Sequence, residues 1–257
     1  MEITILGSGT SQGVPVIACE CEVCQSNDIK DKRLRCSIMI SANGKNYVID
    51  SGPDFRQQML REKVKSLSAI IFTHEHKDHI AGLDDVRAFN WKERRDMEVY
   101  CSSQVETALK REFHYVFAEN KFPGLPKVNL NIISKEYSFP IGEGLEFIPI
   151  EVMHKEMPVL GFRIGHFTYI TDAKTVSEDE KAKIKGTKIL IVNALRKKEH
   201  ISHFNLSEAL AFIEEINPEK AYLTHISHLF DTHVEIEKIL PKNVFVAYDG
   251  LKIEVNT

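Results

Sequence analysis

The chain has 257 residues, 43% of them hydrophobic and 27% charged, and a formal net charge of −4. That balance suits a soluble globular protein and gives no electrostatic case for nucleic acid or for an anionic membrane. No run approaches the roughly 20 apolar residues that span a bilayer, Met1–Gly13 lacks the basic start of a signal peptide, and the five cysteines then read as thiols or metal ligands rather than disulfides. The cytoplasm is the expected compartment.

Along the chain, Glu2–Leu6 reads as a strand, followed by the loop "GSGTSQGVP". Ser37–Ile40 and Tyr47–Ile49 flank Asn43-Gly44, a strong hairpin signal. Pro53–Glu62 reads as a helix with Pro at its first position, Leu67–Phe72 as a strand, and Asp78–Trp91 as one helix. Glu98–Cys101 is a predicted strand and Ser103–Phe113 a helix, before a Pro/Gly-bearing loop at Lys121–Pro126. Predicted strands follow at Val128–Ile133, Leu145–Val152, Leu160–Ile164, Phe167–Thr171 and Ile189–Val192. Leu206–Ile216 is a helix, Ala221–Thr224 a strand and Val234–Leu240 a helix, and Val244–Ala247 with Leu251–Val255 reads as a closing hairpin. Strands occur both as consecutive hairpins and interleaved with helices. That fits two mixed β-sheets with helices on their outer faces, an α/β (αββα) sandwich in one domain over 1–257. The loop "GSGTSQG" does not keep the spacing of a dinucleotide-binding fingerprint.

The stretch "FTHEHKDHIAG" crowds His74, His76, Asp78 and His79 behind an apolar strand. His74 and His76 are two apart, so on an extended segment they point the same way. Asp78 and His79 follow at a helix start and can turn toward the same point. Imidazoles and carboxylates suit zinc, manganese or iron, so the ligands alone do not choose the metal. A second cluster, Cys19, Cys21 and Cys24 in "VIACECEVCQ", has the density of a structural zinc site, which wants four closed ligands. Spacing leaves the fourth open among Cys36, Cys101 and His228.

The H-x-H-x-D-H motif, with His154 in "EVMHKEMP", Asp172 in "YITDA" and His225 in "LTHISH" following in order, resembles the metallo-β-lactamase superfamily over the whole chain. The resemblance implies an αββα sandwich with two divalent metal ions. His74, His76 and His154 would hold one, Asp78, His79 and His225 the other, and Asp172 would bridge them. Asp50 in "YVIDSG" matches an Asp that supports a metal-ligating His from behind. Flavodiiron relatives carry Glu where this chain has His76, and the β-lactamases proper have Cys at Asp172, so the phosphodiesterase branches fit better.

Within the superfamily, "GSGTSQGVPVIACECEVC", "THEHKDHIAGLDDVR" and "LTHISH" resemble the phosphoribosyl 1,2-cyclic phosphodiesterase family of phosphonate breakdown. That resemblance implies a structural zinc on Cys19, Cys21, Cys24 and His228. It also implies a histidine some twenty residues upstream of "THISH" that binds no metal; near a scissile bond such a group can protonate the leaving alkoxide. "HISHFNL" offers His203 for it; His200 is the competitor, and the flanking residues favour His203. The expected activity is metal-hydroxide hydrolysis of a small phosphodiester, cyclic ones included, such as 5-phospho-α-D-ribosyl 1,2-cyclic phosphate to ribose 1,5-bisphosphate. Loops such as Lys121–Lys127 are expected to select the substrate. A homodimer is left open. The rivals are a pyrroloquinoline quinone biosynthesis-type member, which departs from the full ligand set, and a non-catalytic metal-binding protein. Transfer-RNA processing relatives would need an RNA-gripping arm and a basic surface.

Overall fold

Alternation of apolar residues divides the chain into layers. In the computed structural model, which describes residues 1–119 and 122–256, Ile38, Ile40, Tyr47 and Ile49 face one core. Their neighbours Met39 and Val48 face another. The chain runs β1 (Glu2–Gly7), α1 (Glu22–Gln25), β2 (Ser37–Ala42), β3 (Lys45–Ile49), α2 (Phe55–Arg61), β4 (Ala69–Ile71), α3 (Lys77–Ile80), α4 (Arg87–Glu93) and β5 (Met97–Cys101). Next come α5 (Ser103–Glu112), α6 (His114–Phe117), β6 (Val128–Ile132), β7 (Phe139–Ile141), β8 (Leu145–His154), β9 (Met157–Ile164), β10 (Phe167–Ile170) and β11 (Thr175–Val176). The last are α7 (Glu178–Ile184), β12 (Ile189–Asn193), α8 (Leu206–Ile216), β13 (Lys220–Thr224), α9 (His233–Glu237), β14 (Val244–Val246) and β15 (Lys252–Glu254).

One sheet has the order β15-β1-β2-β3-β4-β5-β6 and the other β11-β8-β9-β10-β12-β13-β14, with β7 beside β8. Each sheet has antiparallel pairs followed by parallel ones: β3-β4-β5-β6 in the first, β10-β12-β13-β14 in the second. Phe147, Phe162, Phe167 and Tyr169 of the second sheet meet Ile3, Ile5 and Ile38 of the first in the central core. Helices cover both outer faces, packing Phe55, Phe89 and Leu109 on one sheet and Phe212, Ile213 and Ile236 on the other. The expected two mixed sheets flanked by helices are therefore present. Among the described residues no helix is long and apolar enough to cross a membrane.

Three local expectations fail for identifiable reasons. The closing hairpin does not form. β14 pairs parallel with β13 while β15 pairs antiparallel with β1, so the Tyr248–Leu251 turn carries the chain from one sheet to the other. The helix expected over Asp78–Trp91 is broken into α3, a 3-10 turn at Leu83–Val86, and α4. The break falls at Gly82, whose N–H donates to Ser51 O instead of continuing the helix. The helix expected over Val234–Leu240 is the shorter α9. Of the loop Lys121–Pro126, Lys121 lies outside the described residues.

The Gly82 break has a counterpart in Gly52. A Cβ on Gly52 would sit 2.0 Å from the Asp78 carbonyl oxygen, and one on Gly82 would sit 2.2 Å from Gly52 O. Two backbones pass here with no room for a methyl group, and α3 is held against the β3–α2 loop by that approach. Gly52→Ala should destabilise the protein by about 1–3 kcal/mol, the range for overpacking a closed contact, in chemical denaturation. An unchanged midpoint would contradict the close approach.

Candidate metal centre

The site lies where strands of both sheets end on one edge of the sandwich. Asp50 follows β3, and the extended segment after β4 carries His74 and His76. Asp78 and His79 lie in α3, which extends only four residues. From the other sheet come His154 at the end of β8, Asp172 after β10 and His225 after β13. His203 arrives on the loop between β12 and α8. Three of these residues have left-handed backbones: Asp50 at φ 65°, Asp172 at 58° and His225 at 57°. Such geometry costs a non-glycine residue about 1–3 kcal/mol and gathers at functional sites. Here it turns each side chain inward from a strand end.

The structure brings all of these side chains to one point. Asp172 is the centre: its Oδ1 lies 3.4 Å from His225 Nε2 and 3.6 Å from His79 Nε2, and its Oδ2 lies 3.8 Å from His74 Nε2. Asp78 Oδ2 is 3.3 Å from His79 Nε2 and 3.9 Å from His225 Nε2. Asp78, His79 and His225 form one group able to hold a metal, and His76, His154 and Asp172 another. His74 groups with His79 and Asp172 rather than with His76 and His154. The three residues expected to share the first ion are still adjacent, with ring centres 4.7 Å (His74–His76) and 5.2 Å (His76–His154) apart. His203 Nε2 stands 3.2 Å from Asp172 Oδ2, in a further group with His225.

Behind this cluster, Asp50 accepts from His79 Nδ1 at 2.7 Å and from Thr73 N and Oγ1 at 2.8 Å each. With its own proton on Asp50, Thr73 Oγ1 can accept from His74 Nδ1 at 2.9 Å. One carboxylate thereby fixes the tautomers of two imidazoles and turns both Nε2 lone pairs inward. His74 Nε2, His79 Nε2 and both ring nitrogens of His225 are buried without a hydrogen-bond partner. An orphaned buried polar atom costs about 1–3 kcal/mol, and an inward lone pair flanked by carboxylates suits a cation. The donor set fits divalent metal ions on this observation.

Electrostatics agree. Burial opposes ionisation of Asp172, but His225, His79 and His203 outweigh it and hold the carboxyl well below its ordinary range. Burial likewise opposes the charged form of His79, and the Asp50, Asp172 and Asp78 carboxylates override it and raise that imidazole. Desolvation raises Asp50, offset in part by His79 and Thr73. Burial, with His79 beside it, pushes His74 down. His203 is lowered to about 4, by burial first, against the pull of Asp172.

The second cluster is compact. Cys19, Cys21 and Cys24 Sγ lie 3.1, 3.5 and 3.6 Å from His228 Nδ1. A tetrahedral zinc with its usual bond lengths sets S···N edges of about 3.5 Å. Burial opposes ionisation of Cys21, yet the Cys24 N–H, His228 and the other two thiols bring it to about 6, while burial pushes Cys24 up to about 11. Cys36 and Cys101 are buried elsewhere. Cys36 lies in the central core against Tyr169 and Thr224.

Supporting residues also escaped the sequence reading. Thr171 Oγ1 donates to Asp172 Oδ1 at 2.5 Å. The Asn193 side chain accepts from Ala173 N and donates to Ala173 O, clamping the turn after Asp172. An asparagine ending the apolar run "ILIVN" was the one visible signal. The described part of the loop expected to select substrate, Phe122–Lys127, lines a cavity with Trp91 at the starts of β5 and β6, the sheet edge opposite the metal residues. A cavity of about 280 Å³ with a mixed lining, including Thr73, His74, Glu75, Lys135, Ile133 and Leu160, borders them instead.

A family model described as a beta-lactamase superfamily domain matches residues 45–226. An octanoyltransferase of Porphyromonas gingivalis is 40% identical over 98% of this chain and 51% of its own length, so the chain spans about half of that relative. A coenzyme PQQ synthesis protein B of Methylobacterium nodulans is 30% identical over 34% of each chain. Among solved structures, a diphosphatase from the PhnP family is 38% identical with a TM-score of 0.92, covering 99% of this chain and 98% of that one. Zinc-bound PqqB of Methylobacterium extorquens shares the fold at 20% identity, with a TM-score of 0.83 over 99% of this chain and 100% of that one. The chain belongs to the beta-lactamase superfamily and, within it, to the PhnP family.

Proposed function

We propose that this chain is a metal-dependent hydrolase of a small phosphodiester, with 5-phospho-α-D-ribosyl 1,2-cyclic phosphate as the first substrate to test. The observation that carries the reading is the set of buried, unpartnered imidazole nitrogens converging on the Asp172 carboxylate. His74, His76 and His154 would hold one ion, Asp78, His79 and His225 a second, and Asp172 both. Bound there, two divalent ions supply a hydroxide at neutral pH and neutralise charge on the phosphoryl oxygens. Cys19, Cys21, Cys24 and His228 would hold a structural zinc.

The chain's own residues do the rest. Asp50 and Thr73 orient His79 and His74. Thr171 and Asn193 hold Asp172 on its turn. His203, beside Asp172, supplies a proton to the departing oxygen. The diphosphatase in the PhnP family favours a second reading, cleavage of a phosphoanhydride. Bis(p-nitrophenyl) phosphate, the cyclic ribose phosphate and a nucleoside diphosphate, each assayed with zinc and with manganese, separate the two. Turnover of none of them would overturn the hydrolase reading.

Three variants test the assignments. Asp50→Asn keeps the shape but replaces an acceptor of three hydrogen bonds. Active-site metal affinity should fall about 10–100-fold, the usual effect of losing such a support, in competition with a chelating dye. Cys21→Ser should remove about one zinc per chain by element analysis and lower the melting temperature, because a closed zinc site contributes folding energy directly; full zinc content would refute that site. His203→Ala should retain its metals and lose about 10²–10⁴-fold in kcat for a sugar-alkoxide leaving group, the worth of a placed proton donor. The loss should be far smaller for nitrophenolate, which leaves without a proton. Equal losses on both would assign His203 to substrate positioning.

A further inference from the structure

Trp91 is the chain's one tryptophan, and it is 72% exposed; Phe122, on the loop beside it, is 79% exposed. Side chains of this size are buried in large part in most folds. Both line the cleft of about 570 Å³ at the starts of β5 and β6. That volume falls within the roughly 300–1,000 Å³ of small-molecule sites. The walls are braced without any ligand. Asn90, buried in α4, accepts from Lys127 N and donates to Lys127 O and Arg95 O. The Arg95 guanidinium donates to Leu67 O and Ser68 O and pairs with Glu93. These bonds tie the end of α4 to the segments entering β4 and β6. The loop also closes against the indole: a Cβ on Gly124 would meet Trp91 Cζ2 at 3.5 Å, ordinary contact distance.

We propose that this cleft is a second binding site and takes a nucleoside diphosphate, its base against Trp91 and Phe122 and its phosphates on Arg94 and Lys127. Both cations line the cleft and are exposed, and among the described residues neither side chain forms an ion pair or a hydrogen bond. Arg95 is already committed to Glu93, and the carboxylate in the lining is Asp96. Unpaired positive charge therefore collects here on a chain whose net charge is −4. Two free cations beside two exposed rings call for a ligand that is flat at one end and doubly anionic at the other. Bases stack on aromatic side chains whatever their sequence, and phosphates bind strongly to charged donors. Two other occupants fit less well. A second copy docked about a twofold axis would set Arg94 and Lys127 against their own images. An anionic bilayer meets a protein over an open face, whereas these groups line a concavity. The cleft lies at strand starts and the metal residues at strand ends, so filling one does not require the other.

A single tryptophan makes the test direct, because its fluorescence reports this cleft alone. The probe for the metal-loaded full chain is ADP with methylene in place of the bridging oxygen, which a phosphoanhydride hydrolase cannot cleave there. It should change the Trp91 emission saturably. Adenosine, which lacks the charge, and methylenediphosphonate, which lacks the ring, should each bind at least about 10-fold more weakly. The double variant Arg94→Ala, Lys127→Ala should lose at least about 10-fold in affinity for the probe. Its melting temperature should not move, since both side chains are exposed. Phe122→Ala should weaken the probe and adenosine alike. Hydrolysis of bis(p-nitrophenyl) phosphate by these variants should match the wild type, and a loss there would overturn the separation of the two sites. No saturable response to the probe, an affinity unchanged in both variants, or methylenediphosphonate binding as tightly as the probe would overturn the proposal. So would a response confined to phosphatidylglycerol vesicles, in favour of a membrane contact, or one that follows dimer formation in sedimentation, in favour of a second copy.

Discussion

Everything at the metal edge depends on one buried carboxylate. Asp50 is fully enclosed, and taking its charge out of water is costly unless hydrogen bonds and a nearby positive group offset it. Three donors do so, and two of them belong to Thr73, immediately before His74. The third is His79 Nδ1. The same bonds that make the burial tolerable therefore orient two histidines, His74 after β4 and His79 in α3. Removing the carboxylate would leave a Thr hydroxyl, a backbone N–H and an imidazole N–H without acceptors in a water-excluded space, so stability and ligand geometry are coupled through a single side chain.

The sandwich explains why such a site can be assembled at all. Ligands come from both sheets, and their relative placement is set by backbone bonds across the edge. Leu160 N of β9 donates to Thr73 O between the sheets, while Ala194 N to Thr224 O and Gly82 N to Ser51 O fix the ends within each. Behind these the central core of Phe162, Tyr169 and Ile71 is closed to water, leaving the polar edge as the place where charge can be concentrated. Left-handed backbones at Asp50, Asp172 and His225 cost about 1–3 kcal/mol each. The continuous apolar runs of the parallel strands, buried on both faces, readily absorb that cost.

What could be read from the sequence follows the range of the interaction that determines it. His74, His76, Asp78 and His79 lie within six residues, so strand and helix periodicity alone predicts that they converge. Asn43-Gly44 has both residues left-handed, as a tight hairpin requires. Asp172 and His225 were legible only through their order along the chain. Thr73 and Thr171 were invisible and Asn193 showed only as a polar end to an apolar run, because a hydroxyl or an amide at a strand end is common and only its partner in space gives it a role. The end of the chain misled for the same reason. Two short apolar strands around "YDG" satisfy the local rules of a hairpin, and what separates them is pairing with β13 in one sheet and β1 in the other.

The two candidate metal clusters share the segment from His225 to His228. His225 turns inward to Asp172, Ile226 pairs with the Ser8–Thr10 loop in both directions, and His228 turns outward to the cysteines. The N-terminal loop is anchored in turn by Arg33, a buried guanidinium that donates to Ser8 Oγ and Ala247 O. Burial lowers Arg33 to about 10, which still leaves it charged at neutral pH, and Asp249 and Asp31 oppose that shift. Asp249 also accepts from Ser8 and Leu34, and Asp31 from His233 N. The cysteine loop has little apolar anchorage of its own: α1 is four residues long and Ile17 is exposed. A cation among its thiols would be the tie that closes this loop onto His228, and through Ile226 it would stiffen the backbone on which His225 is held.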